Sequence, residues 1–200
     1  MKKNLLITFF TALFIFLTQL AFAQISYGPR LGLNMATVAG VNNNAGVRLG
    51  LLLGGYGKFS LTDNVAFQPE ILYSVKGFAS TNNSSSSKYF LKLNYFDIPL
   101  LFNFGQSEGV HFLAGIQPSF LITAMSKTKT ASSKSTIEVT DQINSFDIAP
   151  VLGLGYQSEI GINADLRLSY GIPGVYKNST GDSQHNLIAQ LTVGYSFGGN

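Results

Sequence analysis

The 200-residue chain contains no cysteine and no tryptophan, only two histidines, and a charged fraction of 12%. Without cysteine, disulfide staples and thiolate metal sites are excluded. His111 and His185 lack the spacing of a metal-ligand pair, and the carboxylates Asp141, Asp147, Asp165 and Glu159 are scattered, so neither a metal nor a cofactor is predicted. An excess of charge of either sign is also missing. Once Lys2 and Lys3 are assigned to a leader, 11 of the 13 basic residues remain against 10 acidic ones, which excludes a nucleic-acid footprint. Beyond residue 23 no apolar run is long enough for a transmembrane helix.

Catalytic signatures are scarce. Asp182, Ser183 and His185 supply the residue types of a hydrolytic triad, but there is no G-x-S-x-G elbow, and neighbours in one loop do not easily form a triad. Gly54/Gly55 and Gly153/Gly155 lack the following helix of a phosphate loop. The chain is therefore read as a non-enzyme.

The N-terminus has the grammar of an export signal. Lys2 and Lys3 precede an apolar stretch from Leu5 to Leu17, broken only by Thr8 and Thr11, and Ala21-Phe22-Ala23 supplies a small-x-small cleavage site. Cleavage is expected before Gln24, giving a signal peptide at 1–23 and one domain at 24–200. No cysteine follows the site, which excludes a lipoprotein anchor.

In the remainder, apolar and polar residues alternate with period two, the signature of strands with two different faces. In 162–170, Ile162, Ala164, Leu166, Leu168 and Tyr170 share one face while Asn163, Asp165, Arg167 and Ser169 share the other. Similar alternation predicts strands near 25–35, 47–60, 65–78, 88–104, 110–124, 145–157 and 187–197. The fourth changes phase, with Tyr89, Leu91, Leu93 and Tyr95 at odd positions and Ile98, Leu100, Phe102 and Phe104 at even ones. One extra residue near Phe96-Asp97, a β-bulge just before Pro99, would restore the face.

Connections alternate too. Long polar ones at 36–46, 79–87, 125–144 and 172–184 alternate with short ones at 61–64, 105–109 and 158–161. Short periplasmic turns and long outer loops mark a transmembrane barrel. Apolar-face aromatics gather toward the strand ends. Tyr27, Phe59, Phe67, Phe104, Phe112, Tyr156 and Tyr195 lie at the short-turn side, and Tyr73, Phe120, Phe146 and Tyr170 lie opposite, as two interfacial girdles require. The fold predicted is all-β, an eight-stranded antiparallel up-and-down transmembrane β-barrel in the bacterial outer membrane.

On that model Arg30, Arg48, Lys58, Glu70, Lys76, Lys92, Asp147, Asp165 and Arg167 point inward. Eight strands enclose only enough room for side chains, so these charges must pair. The expected network joins Glu70 to Arg30 or Arg48, and Asp165 or Asp147 to Arg167. Both histidines are placed at interfaces. The Ser-, Asn-, Thr- and Lys-rich stretches 79–88 and 125–144 are read as solvated loops open to a surface partner.

Several segments match a family. YGPRLGLN (27–34), FQPEILYSVKG (67–77), LNYFDIPLLFNF (93–104), FLAGIQPSFLI (112–122) and LTVGYSF (191–197) resemble the PorT-like outer-membrane β-barrel proteins across nearly all of the mature chain. The resemblance implies a barrel seated in outer-membrane lipid by the barrel-insertion machinery, and implies no activity. One departure is Gly198-Gly199-Asn200 after Phe197, where such barrels often end on an aromatic. Three functions fit: a structural, adhesive or assembly barrel with a plugged polar lumen; a small porin; or a soluble lipocalin-like periplasmic barrel with its apolar faces inward. Alternation alone does not distinguish inside from outside.

Overall fold

The structure is a computed structural model that describes residues 24–39, 45–82, 87–130, 133–177 and 184–198. The expected signal peptide, residues 1–23, and Asp182 and Ser183 lie outside the described residues. The strands in chain order are β1 (Ile25–Ala39), β2 (Ala45–Gly46), β3 (Arg48–Thr62), β4 (Val65–Asn82), β5 (Ser87–Asp97), β6 (Leu100–Gly105), β7 (Gly109–Lys129), β8 (Lys134–Glu138), β9 (Phe146–Gln157), β10 (Ile162–Tyr170) and β11 (His185–Tyr195). β5 and β6 are two halves of one crossing, interrupted at Ile98-Pro99, while β2 and β8 are short additions. That leaves eight crossings, all antiparallel. β1 pairs with both β3 and β11, and β4 with β5 closes the ring. Closure removes the sheet edges that lipid could not hydrogen-bond.

The faces are unambiguous. Leu49, Leu51, Leu53, Leu152, Leu166 and Leu168 are 55–67% exposed on the outside, whereas Arg30, Glu70, Asp165 and Arg167 are 1–2% exposed inside. A continuous apolar outer belt with buried charge is the reverse of a soluble barrel and belongs in hydrocarbon. The aromatics fall into register. Tyr73 lies opposite Phe96, Phe96 opposite Phe120, and Phe120 opposite Phe146, one row over four crossings. At the short-turn end Phe59 faces Phe67 and Phe67 faces Phe102, while Phe104 faces Phe112. Two tight connections there use Gly109 and Gly161 at φ of 90° and 87°, values that a residue with a Cβ rarely adopts.

The expected bulge in the fourth crossing is not where the sequence pattern put it. Leu91, Leu93, Tyr95, Asp97, Leu101 and Asn103 are all buried, so the odd positions face the interior without a change of phase. The polarity of the interior changes instead. Its outer half is apolar, built by Val38, Phe78, Leu91, Leu93, Tyr95, Ala124, Ile143 and Val175. The bulge sits on the neighbouring strand. Thr123 faces Asn94 and Leu121 faces Tyr95, leaving Ile122 extra on β7. Beyond it parity flips, with Ala124 buried and Met125 exposed.

The expected loop at 125–144 is also corrected. β7 runs on to Lys129, turns back as β8, and leads through a 3-10 turn at Thr140–Gln142 to Ile143, which is fully buried in the apolar layer. Ile137 and Val139 carry the strand preference that the surrounding Ser and Thr obscure. Likewise β4 and β5 extend through most of 79–88, pairing as far as Asn82 with Ser87.

Candidate functional site

The interior carries two polar layers below the apolar one. In the larger, the fork of Arg167 meets Glu70 along two parallel bonds: Nη1 donates to Oε2 at 2.8 Å and Nη2 to Oε1 at 2.7 Å. Nη2 also donates to Asp165 Oδ2 at 2.7 Å. Arg30 donates from Nη1 to the same Asp165 oxygen, lies 3.3 Å from Glu70 Oε1, and donates from Nη2 to Asn163 at 2.8 Å. Its guanidinium sits 4.5 Å above the Tyr56 ring. Two cations and two anions thus form a closed, neutral quartet across β1, β4 and β10. Gln68 donates to Glu70 at 2.6 Å and in turn accepts from Asn103 at 2.7 Å, which ties in β6.

The second layer lies nearer the apolar half. Lys76 donates to Asp97 at 2.8 Å and to Ser119 at 3.1 Å, Gln117 donates to Asp97 at 3.2 Å, and the ammonium stands 4.7 Å from the Tyr95 ring centre. Each charge in both layers has an opposite charge in contact, the condition under which burial in a narrow lumen is tolerable.

Of the six residues expected to form a network, Arg30, Glu70, Asp165 and Arg167 meet and two do not. Arg48 sits at the start of β3 and donates to the carbonyls of Lys76 and Leu91 at 3.2 and 3.1 Å. Asp147 is buried and accepts from Asn186 at 2.8 Å, away from Arg167. Lys92, read as inward, lies on the outer face with Phe90 and Phe96, because the odd positions of that crossing occupy the interior.

His111 is not at an interface as expected but 3% exposed in the lumen, with Nε2 3.4 Å from Asp165 Oδ1. The reason is parity. Phe112 and Val110 take the lipid face, so His111 must point in. Gly155 on β9 leaves the room it needs, since a Cβ there would run into the Asp165 carboxylate and the His111 ring. His185 is half-buried at the opposite end, stacked on Tyr170 at 5.4 Å with its Nδ1 3.1 Å from the Gly171 carbonyl. Among the described residues no group of His, Asp and Glu is arranged to hold a metal.

Sequence reasoning missed Asp97, Ser119 and Gln117 as lumen partners of Lys76. The signal was present in the D-I-P of the fourth crossing, hidden because its odd neighbours are apolar. At the short-turn end the lumen opens as a polar mouth of about 580 Å³ lined by Ser26, Lys58, Ser60, Gln157 and Ser196. Inward of this mouth stand Tyr56, Asn163 and the quartet, Asn163 donating to the Tyr56 hydroxyl at 2.6 Å.

Solved structures share this fold. Ail, the attachment invasion locus protein of Yersinia pestis, is 13% identical, covers 87% of this chain and 99% of its own, and superposes with a TM-score of 0.51. Neisserial surface protein A is also 13% identical, covers 86% of this chain and 97% of its own, with a TM-score of 0.54. At that identity the likeness concerns the fold. No curated protein sequence matches the chain. A model of the outer membrane protein β-barrel domain matches residues 22–177. The lipid-facing belt, the ring closure and that match agree: the chain belongs to the outer membrane protein β-barrel domain family and is a protein of the bacterial outer membrane.

Proposed function

We propose that this protein is a sealed, non-enzymatic outer-membrane barrel that acts through its outer extensions in an adhesive or assembly role. The observation that carries this reading is the double closure of the lumen. A neutral quartet of Arg30, Glu70, Asp165 and Arg167 fills one level, and the layer around Leu91, Leu93, Ile143 and Val175 fills another. An ion entering from the polar mouth meets paired charges and then hydrocarbon. The quartet acts as a register lock, because a one-residue slip of β10 would turn Asp165 and Arg167 into lipid.

The PorT-like resemblance supports the same reading. Its most specific segments, 67–77 and 93–104, supply Gln68, Glu70, Ser74, Lys76, Tyr95 and Asp97, all buried in the lumen. What those segments encode is the internal lock. Residues 1–23 serve as the cleaved export signal and 24–200 as the barrel that the insertion machinery receives.

The test is conductance in planar bilayers together with gel mobility before and after boiling. A sealed barrel shifts mobility on boiling and passes no steady current. A steady open-channel current from the wild-type protein returns the small-porin reading.

A further inference from the structure

The outer extension of β5, β7 and β8 has one face of unusual composition. Cross-strand partners share a face, so the register reads as a grid. Lys88 pairs with Lys129 and Lys129 with Lys134; Phe90 pairs with Lys127 and Lys127 with Thr136; Lys92 pairs with Met125 and Met125 with Glu138. Five lysines thus share a three-strand surface with one carboxylate, and Glu138 is engaged by the Thr140 hydroxyl at 2.9 Å. Lys88, Lys129 and Lys134 are exposed, and among the described residues no carboxylate forms an ion pair with any of the five. Neighbouring strands lie about 4.8 Å apart, so the row of three ammonium stems spans roughly 10 Å. Like charges directly opposite destabilise a strand pair, so the row disfavours its own hairpin unless an anion joins it. The repulsion is visible at Lys127, whose pKa is lowered chiefly by the Lys134 ammonium, with smaller contributions from desolvation and Lys129.

Height decides which anion. The outer aromatic row at Phe96, Phe120 and Phe146 marks the headgroup level. Lys127 lies six ladder rungs beyond Phe120 on β7, Ile122 being the bulged residue, which is about 20 Å along the strand and about 15 Å above that row at ordinary barrel tilt. Lipid headgroup charges are then roughly two Debye lengths away at physiological salt. The face is an open sheet rather than a groove, and lysines grip anions as point charges without the planar fit that arginine demands. Resting on the reading of a barrel that works through its outer extensions, we propose that Lys88, Lys127, Lys129 and Lys134 form a docking face for an anionic polysaccharide, an extended chain carrying repeated sulfate, phosphate or carboxylate groups above the membrane.

The experiment uses the full chain refolded into zwitterionic nanodiscs, with dextran sulfate as probe and uncharged dextran as control. The wild type is expected to bind dextran sulfate and not dextran, with affinity falling as salt rises. The triple variant K127Q/K129Q/K134Q is expected to lose at least tenfold in affinity while keeping its heat-modifiable mobility, and K127R/K129R/K134R is expected to retain binding. Equal affinity of the wild type for dextran sulfate and dextran, or unchanged affinity in the glutamine variant, overturns the proposal. So does a preference for vesicles of anionic lipid, or for polyglutamate, over dextran sulfate. Conductance measured on the same preparation separates the two readings: an open channel that still binds dextran sulfate removes the sealed barrel alone, and a closed barrel that binds none removes the lysine face alone.

Discussion

Arg167 and Glu70 face each other across the lumen through two parallel hydrogen bonds of 2.7 and 2.8 Å, both side chains fully buried. Planar forks of this kind fix orientation as well as charge. Removing Glu70 leaves Arg30 and Arg167 to share Asp165 alone, a net buried positive charge. Glu70→Ala is expected to lower unfolding stability by about 3–5 kcal/mol, read from urea unfolding of the refolded barrel. Conductance should remain absent because the apolar layer is untouched. A variant as stable as wild type would show that the quartet does not hold the fold.

Gly155 is the seat on which the quartet's edge rests. An added Cβ there meets the Asp165 carboxylate and the His111 ring, both already buried. Gly155→Ala is expected to cost about 1–3 kcal/mol through overpacking. The companion His111→Ala opens that space, so the double variant should recover part of the loss, a coupling that a double-mutant cycle reads directly. Strictly additive costs would mean that the two residues do not compete for the same volume.

Much of this fold is legible from period-two alternation, because most crossings set an apolar lipid-facing row against an inward row that carries polar residues. β10 is the clearest, its Asn163, Asp165, Arg167 and Ser169 all buried in the lumen. The fourth crossing is not legible for a physical reason. Leu91, Leu93 and Tyr95 face an apolar interior, and the outward Lys92 lies beyond the lipid, so polarity there carries the opposite sense. A binary pattern assumes one kind of inside, and this barrel has two. The outer hairpin is obscured similarly, since its Ser, Thr and Lys read as loop although cross-strand pairing sustains them as strand. Arg48 and Asp147 show a further boundary. Alternation gives the face of a charge but not its height, and height decides which charges meet.

The two-part interior makes Leu93 a discriminating position. It is fully buried among Val38, Phe78 and Ile143 rather than facing lipid. Leu93→Ala is expected to cost about 2–5 kcal/mol as a core cavity. Leu152→Ala, on the 67% exposed lipid face, should cost much less because lipid tails refill the space. Equal costs measured under identical urea and detergent conditions would return Leu93 to the lipid face.

Depth along one strand tests the placement in the bilayer. On β9, Tyr156 belongs to the short-turn aromatic band and Phe146 to the outer row, which puts Leu152 near the midplane. A charge on the lipid face is costly in proportion to its depth. Leu152→Arg is expected to lose about 2–4 kcal/mol, whereas Phe146→Arg loses only about 0–1 kcal/mol for the charge, with the lost Phe120 contact added to it. The comparison needs the two variants refolded into the same lipid, because thickness sets the depth of both. If Phe146→Arg proved the costlier by several kcal/mol, the aromatic row would lie inside the hydrocarbon, and the bilayer would have to be moved outward along the barrel, closer to the lysine face.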